Sequence, residues 1–275
     1  MNEDKGLASV GQKPKATTAG KAGAGSLSAE ALIRQGMRLP GIRIDRAAFL
    51  RAELSRVCLP ETVERAIQTN PAQAGIDRAL IDPIANAAIT AETAKVTSLS
   101  ALSGIPGGLG MAVAIPADVV QYFGFILRIL QKLIYLYGFA ELDLTEASIA
   151  DETMTELLLF IGAMFGVRGA VGGIQSLSKL AATQTIKSLS RKTLTSTTVY
   201  PLVKKIAQQV GVKMTKQVFA RGVSRLVPIA GAAAAGSLTF FAFRAGAGRL
   251  RKTLCDLEIS DPSFYQKHEE PSQAP

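Results

Sequence analysis

The stretch from Ile115 to Tyr137 limits what this chain can fold into more than any other part of it. Its polar residues are Asp118, Gln121, Arg128, Gln131 and Lys132, all toward one side of a helix, and everything else is apolar or aromatic. A helix of this kind is buried over most of its circumference, in protein or in lipid. It needs other helices around it, or a bilayer. The chain as a whole has no Trp and is rich in Gly and Ala, so small residues let helix backbones approach closely. The expected fold class is all-α: a multi-helix bundle with long apolar central helices and disordered termini.

The remaining pattern supplies those helices. Ser28 caps a first helix with Leu32, Ile33 and Met37 on one face, and the turn Leu39-Pro40-Gly41 ends it. Asp45 caps a second, with Phe49, Leu50, Leu54 and Val57 at helical spacing. Asn70-Pro71 reads as the start of a helix running to about Ser103, interrupted near Asp82-Pro83. The run Gly104 to Gly110 is a break, because its glycines and Pro106 cannot hold a helix.

Beyond Gly138, Asp143 and Glu146 form a capping box for the next helix. Gly162, Gly166, Gly169 and Gly173 then recur at three- and four-residue spacing, a small-residue face for tight helix contact. Basic, Ser/Thr-rich helices are expected from about 174 to 221, followed by the uncharged stretch Leu226–Phe243. The domain organisation is a disordered basic tail over 1–27, a helical domain over 28–260 and a disordered acidic tail over 261–275.

The net charge of +9 is unevenly distributed. Between Glu156 and Asp256 there is no acidic residue, whereas fifteen basic residues lie between Arg168 and Lys252. A field of one sign attracts an anionic partner, either lipid headgroups or nucleic acid phosphate. The block carries no RNP sequence, KH pattern or zinc-finger ligands, and its aromatic residues lie within apolar runs. Anionic membrane lipid is therefore the expected partner, and nucleic acid is not. The basic residues expected to meet the membrane are Arg168, Lys179, Lys187, Arg191, Lys192, Lys204, Lys205, Lys213, Lys216 and Arg221.

No apolar run of the length of a signal peptide's core occurs near the amino terminus, so a cytoplasmic start is expected. Leu226–Phe243 is marginal as a bilayer span, and Val96–Ala117 holds the glycine-proline break. A core helix, with peripheral rather than spanning contact at the inner face of the membrane, is the expectation for both.

Catalytic sets are scarce. His268, in the acidic tail, is the only histidine, which removes Ser-His and Cys-His systems and most zinc ligand sets. Cys58 and Cys255 lie far apart and read as two reduced thiols. No nucleotide-binding glycine pattern is present, and no cofactor is expected. Asp118 is the most suggestive carboxylate, either lining a pocket behind the glycine-rich break or serving as a structural partner of Arg128 or of exposed backbone amides in the glycine-rich turn. Asp77, Asp82, Glu92, Asp151 and Glu152 read as surface or capping residues.

Two stretches resemble the bacterial EcsC family. One is Leu39-Pro40-Gly41-Ile42-Arg43-Ile44-Asp45-Arg46 with Phe49-Leu50-Arg51 and Glu53-Leu54. The other is Ser103-Gly104-Ile105-Pro106-Gly107-Gly108, continuing through Ile115-Pro116-Ala117-Asp118, Gln121-Tyr122-Phe123, Gln131-Lys132-Leu133 and Tyr135-Leu136-Tyr137-Gly138. The resemblance spans residues 39 to 257 and thins after 140. It implies a mainly helical protein linked to a membrane transporter operon, with Gly104, Pro106, Gly107, Gly108, Pro116, Asp118 and Gln121 as a family signature and pocket candidates, not as catalytic residues.

The function expected is thus a non-enzymatic, membrane-associated protein that supports or regulates a membrane complex such as an ABC transporter. Two alternatives stay open. One is a lipid or hydrophobic-ligand carrier with its cavity at the Ile115–Tyr137 helix, and the other an enzyme with a carboxylate site at Asp118.

Overall fold

A computed structural model describes residues 28–102, 117–144, 151–186, 203–212 and 230–269. These residues form α-helices joined by turns, with no strand among them: α1 (Ala29–Met37), α2 (Arg46–Leu54), α3 (Pro60–Gln68), α4 (Arg78–Leu102), α5 (Ala117–Leu136), α6 (Asp151–Met164), α7 (Ala170–Ile186), α8 (203–212), α9 (Ala230–Cys255) and α10 (Pro262–Glu269). The all-α expectation holds.

Helix α5 is the axis of the bundle, touching α1, α2, α4, α6 and α9. Its Phe123, Ile126, Leu127, Ile129, Leu130, Leu133 and Ile134 are buried, as its apolar girth requires. Val119–Leu136 is the one window among the described residues that is long and apolar enough to cross a membrane, and 72% of it is buried inside the bundle. The helix ends at Gly138, whose φ of +99° suits glycine, and the Phe139 N–H returns to the Ile134 carbonyl at 2.9 Å, satisfying one orphan acceptor.

Local chemistry sets the other boundaries. Ser28 and Asp45 cap α1 and α2 as expected, accepting from the N–H groups of Ala31 (3.4 Å) and Ala48 (2.7 Å). Asn70 does not open a long helix. Its Oδ1 accepts from the Gln73 N–H at 2.9 Å and closes a single turn, which Gly75 ends at φ +84°. Helix α4 starts afterward, next to Asp77, and continues through Pro83 without interruption. Pro83 sits in the second turn and removes only the bond to the carbonyl of Ala79.

The glycines between 162 and 173 do two jobs rather than one. Gly166 (φ +63°) and Gly169 (φ +88°) make the turn between α6 and α7. Gly162 and Gly173 are the close contacts: a Cβ on Gly162 would lie 2.7 Å from Ile206 of α8, and one on Gly173 would lie 2.4 Å from Leu159. The capping box expected at Asp143 and Glu146 falls partly outside the described residues, and α6 begins at Asp151 with Asp151 and Glu152 in its first turn.

The carboxyl-terminal region departs most from expectation. The uncharged stretch Leu226–Phe243 runs on into a basic segment, so α9 reaches Cys255. It runs antiparallel to α4: Arg244 meets Thr90 (3.4 Å) and Arg251 pairs with Asp82 (3.1 Å). Residues 262–269, expected to be disordered, form α10. Tyr265 is buried, accepts from Asn70 Nδ2 at 3.0 Å and donates to the Ile259 carbonyl. Arg78 adds an ion pair to Asp261 at 3.0 Å and a bond to the Ser260 carbonyl at 3.2 Å. These contacts fasten the end of the chain across the α3–α4 turn.

Candidate functional site

Along Arg128, Gln131 and Lys132 the polar side of α5 faces α4 and the loop over 38–45. Gln131, fully within the core, donates to the Ile42 carbonyl (3.0 Å) and to the Leu127 carbonyl (2.8 Å), while its Oε1 accepts from the Ile44 N–H (3.0 Å). Arg128 donates to the Gly41 carbonyl. Gly124 makes the approach possible, because a Cβ there would lie 2.9 Å from Ile42 and 3.2 Å from Leu39. The Leu39-to-Asp45 loop of the first stretch is thus held on the face of α5, the described part of the second.

Behind this loop is a buried ionic cluster. Glu92 of α4 is wholly inaccessible to solvent. Lys132 Nζ lies 2.7 Å from its Oε1, Arg128 Nε 3.1 Å from its Oε2, and Lys95 Nζ 3.4 Å from Oε1. Lys132 also sits 5.7 Å above the Phe49 ring. Burial alone pushes the Glu92 carboxyl up, but the hydrogen bonds and charges of Arg128 and Lys132 outweigh it and hold it at about 2. The carboxylate stays ionised and its oxygens are engaged by cations. Such a group joins α4 to α5.

The surface role expected for Glu92 is wrong, for a reason visible in α4: it follows Ile81, Ala85 and Ile89 on the apolar stripe and precedes Val96, all buried. Arg128 finds an acid in Glu92. Asp82 is likewise no simple surface residue. It accepts from the Tyr137 hydroxyl and pairs with Arg251. Burial, with Asp82 next, raises the Tyr137 hydroxyl far above its ordinary range, so this phenol stays protonated and serves as a donor. Arg46 is buried and donates to the Ala66, Ile67 and Thr69 carbonyls at the end of α3 and to the Phe139 carbonyl.

Of the signature residues, Gln121 is exposed on the first turn of α5. Gly104, Pro106, Gly107, Gly108 and Pro116 lie outside the described residues, as does the Asp118 side chain. A cleft of about 190 Å³ opens between α5, α6 and α9, lined by Tyr122, Ile126, Met164, Phe165 and Phe243 with Arg249 at its edge. That is below the roughly 300 Å³ of pockets that enclose a drug-sized ligand. Among the described residues no group of His, Cys, Asp and Glu is arranged to hold a metal ion.

The second candidate surface is the acid-free block. Of the basic residues assigned to membrane contact, Arg168, Lys179, Lys204 and Lys205 are exposed, whereas Lys187, Arg191, Lys192, Lys213, Lys216 and Arg221 lie outside the described residues. Helix α9 contributes Arg244, Arg249 and Lys252, all exposed and none of them singled out by the sequence pattern. Their signal is present in the same charge gap. Arg168, Lys204, Lys205, Arg244 and Lys252 make no ion pair among the described residues. The first half differs: Arg51 pairs with Glu64 (2.8 Å), Arg56 with Glu53 (2.9 Å), and the cluster at Glu92 uses three more cations.

The fold and its surfaces define an all-α bundle whose amino-terminal acids Glu53, Glu64, Asp82 and Glu92 are held in ion pairs, and whose acid-free segment exposes Arg168, Lys204, Lys205, Arg244 and Lys252 with no ion pair among the described residues. No protein-family model, curated protein or solved structure matches the chain.

Proposed function

We propose that this is a non-enzymatic, EcsC-type helical protein that docks peripherally on the cytoplasmic face of the membrane through its basic half and there supports a membrane complex such as a transporter. The observation that carries the reading is the charge segregation. Glu53, Glu64, Asp82 and Glu92 of the amino-terminal half are held in ion pairs, while Arg168 of the α6–α7 turn, Lys204 and Lys205 of α8, and Arg244 and Lys252 of α9 are exposed with no acid in their own segment. Each basic residue near an anionic leaflet contributes about 1 kcal/mol, so four or five on one side give useful, salt-sensitive binding. Burial of α5 inside the bundle favours peripheral docking over a span by that helix. The likeness of the two stretches to the EcsC family supports the same reading.

Flotation of the purified chain with phosphatidylglycerol-containing vesicles tests it. The chain floats at low salt and is released at high salt, and it ignores phosphatidylcholine vesicles. A chain that stays at the bottom of the gradient with anionic vesicles at low salt ends the proposal.

A further inference from the structure

Helix α9 presents a distinct outward stripe. At about 100° per residue, Ser237, Phe241, Arg244, Ala245, Gly248 and Lys252 fall within an arc of about 100°. Thr239, Phe243, Ala247, Leu250 and Leu254 fill the opposite arc and are buried. The stripe is about 22 Å long at 1.5 Å per residue. One end is aromatic: Phe241 is 66% exposed, the most exposed of the large apolar side chains in the described residues. Its ring packs edge-on against Phe240, 5.4 Å between centroids, and the Arg244 guanidinium lies 6.0 Å from the Phe240 ring. The middle is small, at Ala245 and Gly248, and the other end is cationic, at Lys252.

An exposed phenylalanine forgoes the favourable transfer of its ring out of water. Here it stands on a helix, beside an arginine that has no acidic partner among the described residues and within a segment that has no acid at all. An acidic protein partner or a nucleic acid would satisfy the cations but would leave the phenylalanine tip without an apolar environment. An anionic bilayer interface satisfies both at once: ring into the acyl boundary, guanidinium and ammonium at the phosphates, small residues letting the helix backbone lie close to the headgroups.

We infer that this α9 stripe is the membrane-contacting surface, with α9 lying in the plane of an anionic leaflet, Phe241 inserted as its apolar anchor and Arg244 and Lys252 on lipid phosphate. The inference rests on the peripheral docking proposed above and names the surface that performs it.

Because the chain contains no Trp, Phe241→Trp in the full-length protein installs a single indole reporter. Vesicles containing phosphatidylglycerol shift its emission to the blue, brominated phosphatidylglycerol quenches it, and high salt reverses both. Arg244→Gln with Lys252→Gln weakens vesicle partition about 30-fold, from the 1 kcal/mol that each contact contributes. Arg56→Gln with Lys267→Gln, equally charged changes elsewhere, leaves it unchanged. Circular dichroism matching the wild type establishes that each variant is folded. If the chain floats but the indole emission stays unshifted and the Arg244/Lys252 variant binds like the wild type, the stripe is the wrong surface and the docking proposal survives. If the wild-type chain does not float at low salt, both fall together.

Discussion

Replacing Glu92 with Gln keeps the shape of the side chain and removes its charge, leaving Arg128 and Lys132 close together in the core without a counter-ion. The cost follows from the structure by two routes. A carboxyl held at about 2 instead of its ordinary 4.5 is stabilised in its charged form by about 2.5 pK units, or roughly 3 kcal/mol of folding free energy at neutral pH. Breaking a buried ion pair by removing one partner costs about 3–5 kcal/mol, and the lower end applies because Arg128 and Lys132 keep 20% and 13% of their side chains exposed.

The sign of the pH dependence is fixed as well. The folded-state value is depressed, so the contribution is complete above the unfolded value and is lost as pH falls through about 2. Urea unfolding followed by circular dichroism should show Glu92→Gln about 3 kcal/mol less stable than wild type at pH 7, and less than half of that difference at about pH 3. Replacing Glu92, Arg128 and Lys132 together by Leu, Leu and Met should recover much of the loss, because apolar groups of similar volume need no counter-ion. A Glu92→Gln variant within about 1 kcal/mol of wild type at pH 7, or a gap that does not change with pH, would refute the description of the cluster.

Other residues make narrower predictions. Gly138→Ala places a side chain at φ +99° and within 2.9 Å of the Ile259 carbonyl, so it should cost about 2–4 kcal/mol and lower the melting temperature by about 4–12 °C in a thermal scan. Tyr265→Phe removes the acceptor for Asn70 Nδ2 in a buried site and should cost about 1–3 kcal/mol by urea unfolding, whereas a disordered tail would register nothing. Arg46→Lys cannot reach the Ala66, Ile67, Thr69 and Phe139 carbonyls together and should destabilise by about 2–3 kcal/mol, with hydrogen exchange rising first at the end of α3.

What can be read without coordinates is whatever a single periodicity carries. The girth of α5, the caps at Ser28 and Asp45 and the stop at Gly138 are local, and each is where its residues imply. Glu92 escapes such a reading because its neutralising cations lie 36 and 40 residues downstream, so a charged residue on an apolar stripe looks like an exception rather than the centre of a cluster. Residues 262–269 escape it for a similar reason: their polar composition suggests disorder, but Tyr265 closes a contact with Asn70 across 195 residues. The glycines around Gly166 mix two roles that one spacing cannot separate, turn conformation and close approach. The exposed basic surface is legible as a charge gap, and the structure adds Arg244 and Lys252 and the exposed Phe241, which depend on which face of α9 points outward.

The central claim is that the basic half holds this protein on a membrane from one side. Fractionation of cells producing the full chain tests it most directly. The protein should sediment with the membranes and be released by about 1 M salt, where the screening length falls to about 3 Å. Recovery in the soluble fraction at low salt, or release only by detergent, would contradict it.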